Sequence, residues 1–333
     1  MIRSFTVSAA LGIGMCLMAG TAQADDCGKV SIAEMNWASA GVAAHVDKII
    51  LEKGYGCSVE IVGGDTIPTF NSMNEQGQPD LAPEFWINSV RSTLEQAIKD
   101  GRLIEGAEIL QDGAVEGWWI PKFLADAHPD IKTVEDALKH PELFPSTYDP
   151  ARGAIHNCPT GWSCEVSTSN LYRAAGAKDK GFDLINAATA ADLNGSIDNA
   201  FENKTGWLGY YWAPTPVMGK YEMVKLSFGV PHSKTDWDTC TSVPDCPSPT
   251  LNSYPTSQAF TIVTRGFAEK AGIAMDYVKA RKWGNATVSS ILAWQGENKG
   301  SNEDTARYFL KEHEDIWSKW LTPDIAEKVK AAL

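Results

Sequence analysis

Past residue 24 the sequence has no apolar run approaching the ~18 continuous residues of a membrane-spanning helix. Positive charge is scarce as well: 29 lysines and arginines stand against 42 aspartates and glutamates, a net charge of −13. Such a surface repels nucleic acid and anionic lipid and weakly attracts a cation. Catalytic signatures are also missing. No H-E-x-x-H, phosphate-cradling loop or dinucleotide fingerprint occurs beyond the first 24 residues. The run G-W-S-C-E at 161–165 puts Cys164 and Glu165 where a nucleophile elbow, G-x-S-x-G, needs x-Gly. The six histidines are scattered, and His232 sits in a Pro-His-Ser turn. These absences count against an enzyme.

The apolar stretch that does exist is at the start. Arg3, an apolar run over 7–19 and the small-residue site Ala22-Gln23-Ala24 read as a secretory signal peptide spanning 1–24. The run is too short and wrongly flanked for a membrane anchor. Cys16 lies inside it behind Met15, with no small residue just before it, and is read as part of the signal. The mature chain, 25–333, keeps 28 basic and 42 acidic residues, a net charge of −14, and is expected to be exported and soluble. Its length is near the limit for one hydrophobic core, so two domains are expected.

Six cysteines remain, an even count that favours disulfides in an oxidising compartment. Two pairs share a C-x5-C spacing, which predicts Cys158–Cys164 and Cys240–Cys246 and leaves Cys27–Cys57 by subtraction. Zinc is the rival, but C-x5-C falls outside the usual zinc spacings and only His156 lies nearby. No metal and no cofactor are expected.

The early mature chain reads as strand, helix, strand. Val30 and Ile32 alternate, Val42, Val46, Ile49 and Ile50 share one helical face, and Gly54 and Gly56 are expected to stop that helix. Val59 and Ile61 then alternate again, and a second helix is expected over 88–99. Alternating strands and helices predict an α/β fold with a largely parallel sheet, whose ligands sit at the carboxyl ends of strands. Beyond Gly266 the chain reads as helical: one helix through Phe267, Ala271, Ala274 and Val278, another over 305–313, and a last one opened by Pro323. The stretch 237–254 reads as a disulfide-pinned loop.

What the sequence has in abundance is tryptophan, twelve in all. After the first strand comes Glu34-Met35-Asn36-Trp37. A strand expected at 80–82 is followed by Pro83-Glu84-Phe85-Trp86, and one expected at 205–208 by Gly209-Tyr210-Tyr211-Trp212. Gly117-Trp118-Trp119 forms a fourth cluster, and Trp162 stands on the short loop between Cys158 and Cys164. Recurrence at ligand-side loops points to a shared aromatic site. Trp283, Trp294, Trp317 and Trp320 fall at helix-like spacing and are assigned to packing. A ring face attracts a cation at roughly 0.5–2 kcal/mol, tryptophan best of all. Three or four faces supply about 3–6 kcal/mol, and burial of methyl groups with a few hydrogen bonds supplies the rest of the ~8 that micromolar binding needs. A sugar site would want a dense set of Asp, Asn, Arg and Lys beside the rings, and these loops carry few.

C-P-T-G-W-S-C-E at 158–165, G-Y-Y-W-A-P at 209–214 and P-E-F-W-I-N-S at 83–89 resemble the substrate-binding proteins of glycine betaine/proline betaine ABC importers. The order and spacing of these pieces resemble that family over most of the mature chain. The resemblance implies a two-lobed, type II-like periplasmic binding protein: 25–114 plus 229–333 as one lobe, 115–228 as the other. The crossings would lie near 113–117 and 228–231. It implies a box of Trp86, Trp162 and Trp212, with the backbone N–H groups of Ser163 and Cys164 on the ligand's carboxylate. Trp37 falls where choline-binding relatives carry an aromatic. Glu84 departs from the family's usual neutral residue; Glu84, Trp118 and Trp119, together with Glu34 and Glu116, are expected near the cleft. The extra carboxylates and rings favour a compact or more cationic ligand, so trimethylamine N-oxide, choline and carnitine stay open beside glycine betaine. A monomer serving an importer permease from the periplasm is expected. The rival readings are a secreted hydrolase of choline-type esters and a solute sensor for a membrane receptor.

Overall fold

The computed structural model describes Met1 and residues 27–333; apart from Met1, the expected signal segment with its Cys16 lies outside the described residues. β1 (Lys29–Met35) forms where Val30 and Ile32 alternate with polar neighbours, and both are buried. The helix Ala38–Tyr55 buries Val42, Val46, Ile49 and Ile50 and ends at Gly56, in the left-handed region at φ 75°. It runs through Gly54, one of the two glycines expected to stop it. A Cβ at Gly54 would stand 2.8 Å from Ile325, so glycine there lets the helix Pro323–Ala331 pack closely. β2 (Ser58–Gly64) pairs in parallel with β1, Ile32 opposite Ile61. β3 (Leu81–Trp86) lies on the other side of β1, and β4 (Leu103–Glu108) takes the far edge.

The chain then builds a second sheet from β5 (Val115–Pro121), β6 (Gly153–Asn157), β7 (Phe182–Asn186), β8 (Gly209–Ala213) and β9 (Met223–Lys225). Their order is β7-β6-β8-β5-β9. β10 (Ala259–Thr264) returns to the first sheet and inserts between β3 and β4, giving β2-β1-β3-β10-β4. The molecule is α/β and two-lobed, but each sheet is mixed where a largely parallel one was expected. β10 runs antiparallel to β3 and β4, and β5 antiparallel to β8 and β9. Both strands follow a crossing between lobes, so the chain enters each sheet without the helical crossover that parallel pairing requires.

Several boundaries shift. β3 extends through Pro83-Glu84-Phe85 to Trp86, and β8 begins at Gly209, after the 205–208 segment expected to be the strand. The helix expected over 88–99 starts at Arg91, and an unforeseen one, Thr66–Gln76, precedes it. The helix expected through Phe267 and Val278 is two, Arg265–Lys270 and Ala274–Ala280, separated at Gly272. An unforeseen helix, Asn285–Asn298, follows; the one expected over 305–313 reads Asn302–Glu312, capped by Ser301, and Pro323 opens the last at its first turn. Three disulfides join Cys27 to Cys57, Cys158 to Cys164 and Cys240 to Cys246, leaving none of these sulfurs for zinc. No helix among the described residues is long and apolar enough to cross a membrane.

The two connections between lobes meet at Ala114 and Ser257, whose backbones exchange hydrogen bonds of 2.9 and 3.1 Å. The return had been expected at 228–231. Between that point and Ser257 the chain bonds to the element that follows β6: Asn170 donates to the carbonyls of Cys240, Thr241 and Val243, and Arg173 to that of Cys246. One tie reaches the first lobe, from Trp237 Nε1 to the carbonyl of Asn88 at 2.8 Å. A disulfide-pinned loop carries no periodicity, so its side of the molecule is decided by these tertiary bonds.

Candidate functional site

Three helices begin at one place between the lobes. Trp37, Asp65 and Trp162 each immediately precede a helix, respectively Ala38–Tyr55, Thr66–Gln76 and Ser163–Ala174. All three have extended backbones and none caps its helix with a side-chain hydrogen bond. The first N–H groups of a helix have no intrahelical acceptor, and its dipole makes that end positive. Thr66, Ser163 and Cys164, from the first turns of two of these helices, line a cavity of about 290 Å³.

The remaining walls are mostly aromatic: Trp37, Trp86, Trp162, Tyr210 and Trp212, with the Glu116 carboxylate among them. Trp37 meets Trp162 edge to face, centroids 5.2 Å apart and planes at 74°, and Trp162 meets Trp212 likewise at 5.1 Å and 75°. Successive near-perpendicular rings make corners, which is how flat walls enclose a compact volume. Tyr210 and Trp212 come from the same face of β8 and lie nearly parallel, 6.2 Å apart. The first lobe supplies Trp37 and Trp86, and the second supplies Trp162, Tyr210 and Trp212.

The loop that presents Trp162 is tied at several points besides the Cys158–Cys164 bond. Asn157 accepts from the backbone N–H of Cys158 at 2.8 Å and donates to Asn186 and Ser169. Gly161 holds φ 94°, and its N–H donates to Glu165 at 3.2 Å. A Cβ at Gly161 would only touch Asp65, at 3.4 Å across the lobe boundary, so it is the positive φ that calls for glycine there. From the first lobe, Ile67 donates its N–H to the Gly161 carbonyl at 3.1 Å, and Asn36 accepts from Trp162 Nε1. Asp65 faces the same junction. Burial pushes its carboxyl above the usual range, and hydrogen bonds from Trp162 and Asn36 offset part of that rise.

Two carboxylates sit at the site in different roles. Glu116 lines the cavity; it accepts from Tyr210 Oη at 2.6 Å, Ser257 Oγ at 2.6 Å and Asn88 Nδ2 at 3.0 Å. It thus joins the second lobe to the crossing strand and the first lobe. Burial, and then the neighbouring Glu116 charge, hold the Tyr210 hydroxyl far above its ordinary pKa, so it is a neutral donor. Glu84 was expected at the ligand but stands behind the wall, fully buried. Its Oε1 accepts from Trp37 Nε1 at 2.8 Å, Ser39 Oγ at 2.7 Å and Trp86 Nε1 at 3.0 Å.

Of the other expected residues, Trp37, Trp86, Trp162, Trp212, Ser163 and Cys164 converge on the cavity, while Trp118 and Trp119 do not. Trp118 is fully buried two residues beyond Glu116 and packs edge-on against Phe228 at 5.2 Å. Trp119 points to the opposite face of β5 and donates to the Tyr211 carbonyl at 2.9 Å. Glu34 turns away toward Asn302 and His45. The sequence reading missed Tyr210 and Thr66. Tyr210 is two residues from Trp212 on one strand, so strand alternation carried its signal. Thr66 follows β2 at a strand-to-helix junction but offers no aromatic to mark it.

Residues 28–312 match a family profile described as the substrate binding domain of ABC-type glycine betaine transport systems. No curated protein matches the sequence. Among solved structures, the chain superposes on a glycine betaine/L-proline-binding protein (ProX) from Borrelia burgdorferi with a TM-score of 0.70 and 16% identity, over 90% of this chain and 99% of that one. A choline-binding protein of an ABC transporter, in complex with choline, gives 0.70 and 16%, over 92% and 98%. Lactococcal OpuAC, closed on glycine betaine, gives 0.66 and 17%, over 88% and 99%. At such identities the superpositions speak for the two-lobed fold. The family is one of substrate-binding domains, which tells against the ester-hydrolase reading.

Proposed function

Because this chain belongs to the family of substrate-binding domains of ABC-type glycine betaine transport systems, we propose that it is the periplasmic receptor of an importer that captures a methylated or quaternary amine. The observation that carries this reading is the box of four indoles, contributed by both lobes, around about 290 Å³. Ring faces attract a cation whose methyl groups shed water cheaply. The uncapped first turn at Ser163 and Cys164 supplies N–H groups for the ligand's oxygen-bearing end. Trp37, Trp86, Trp162 and Trp212 are the ring contacts in this reading. The lobes are 27–113 with 258–333, and 114–257. Segment 1–24 acts as the export signal, and a monomer presents the closed form to the permease subunit.

Glycine betaine, choline, trimethylamine N-oxide and carnitine are the candidate ligands. A thermal-shift series with these four and dimethylsulfoniopropionate tests the reading. A true ligand at 100-fold its Kd should add about 2.7 kcal/mol of stability. If every methylated amine left the melting temperature unmoved at millimolar concentration, the receptor reading would fail.

A further inference from the structure

We infer that Glu84 is the buried counter-charge of the aromatic box, a positioning residue that makes the site prefer a cation over a neutral ligand of the same shape. The inference rests on the function proposed above. Glu84 touches no part of the cavity surface, yet its Oε1 holds the indole N–H groups of two of the four walls, Trp37 and Trp86, together with Ser39 Oγ. Its Oε2 is buried without a hydrogen-bond partner. An anion accepting an indole N–H drives electron density into the ring and strengthens the negative potential of its face. Both rings therefore point their enriched faces toward a ligand while their edges are fixed to one carboxylate.

Among the described residues the carboxylate has no cation of its own. Arg281 is the base whose charge reaches Glu84, and it is already engaged. Its Nε pairs with the fully buried Asp47 at 2.7 Å, and its Nη2 donates to the carbonyl of Pro83 at 2.8 Å and to Thr261 Oγ1 at 2.6 Å. Tyr277 Oη also donates to Asp47. With Arg281 and Asp47 matched, the charge of Glu84 stands uncompensated until a cation lies against the faces of Trp37 and Trp86. Burial raises the pKa of Glu84, as expected of a carboxylate lacking a partner, and the three donors and Arg281 offset part of that rise. A neutral ligand of equal shape fills the box without answering this charge.

The test compares choline with 3,3-dimethyl-1-butanol, its uncharged tert-butyl counterpart, by calorimetry on wild type, Glu84→Gln and Glu84→Asp. Glutamine keeps an acceptor for both indoles and removes the charge. Choline affinity should fall about tenfold or more while the alcohol is unchanged. Aspartate keeps the charge with a shorter reach, so the preference for choline over the alcohol should survive even if both bind less well. Wild type alone provides a second readout should the glutamine variant fail to fold. In proton–nitrogen spectra the indole N–H signals of Trp37 and Trp86 should shift together on adding choline and stay put on adding the alcohol. Equal losses of choline and alcohol in Glu84→Gln, or equal indole shifts with both ligands, would show that Glu84 only props the rings. If wild type bound none of choline, glycine betaine, trimethylamine N-oxide and carnitine, the receptor reading itself would fall, a result separate from either of those.

Discussion

At the residue scale the box makes a quantitative demand on each indole. Trp37, Trp86, Trp162 and Trp212 are all nearly buried, yet each lines the cavity. Replacing one by leucine keeps an apolar wall and removes the ring quadrupole. Each of Trp86→Leu, Trp162→Leu and Trp212→Leu should cost about 1–2 kcal/mol, roughly 5- to 30-fold in affinity, with phenylalanine milder. Trp118→Leu is the internal control: it should lower the melting temperature through lost core packing against Phe228 and leave affinity nearly unchanged. A titration calorimeter and a melting curve on the same preparations separate the two kinds of loss. The sequence made this contrast hard to see. Both kinds of tryptophan stand in or beside strands, and only the register of β5 against β8 sends Trp118, in the middle of β5, inward behind Glu116.

At the scale of elements, function is concentrated where strands hand over to uncapped helices. The Cys158–Cys164 bond closes a loop of a few residues around Trp162, so its loss should cost only ~2 kcal/mol of stability from chain entropy. Its larger effect should be on binding, because Trp162 and the first N–H groups of the helix Ser163–Ala174 lose their fixed aim. The double variant Cys158→Ser, Cys164→Ser is expected to melt a little lower and to bind several-fold more weakly. Unchanged affinity would mean that Asn157, Gly161 and Glu165 hold the loop unaided. Only the first of these junctions was legible from the residues: β1, β2 and the helix Ala38–Tyr55 follow directly from alternation and 3.6-residue periodicity, whereas the helices Thr66–Gln76 and Ser163–Ala174 were not foreseen. Strand limits were less so. Pro83 lacks an N–H and reads as a break, yet β3 runs through it because the sheet irregularity at Phe260–Ile262 of β10 falls opposite.

At the scale of the molecule, the cavity exists only while the lobes are together. Ile67 binds Gly161, Asn36 binds Trp162 and Asn88 binds Glu116, each across the lobe boundary. Ligand that touches both lobes gains contacts in this closed form that an open form lacks, so it must shift the population toward closure. Small-angle scattering should show a smaller radius of gyration with saturating ligand than without. An identical radius would mean that the empty protein is already closed. The hinge was the least legible part of the chain. A crossing strand has no periodicity of its own, and the pairing of Ala114 with Ser257 is a long-range event that neighbouring residues do not announce. The central claim, that charge on a methylated ligand is read by the indole box, is tested most directly by calorimetry of wild type with glycine betaine and with 3,3-dimethylbutanoate, the same shape without the cationic nitrogen. The account predicts clear binding of the first and at least tenfold weaker binding of the second; equal affinity for both would contradict it.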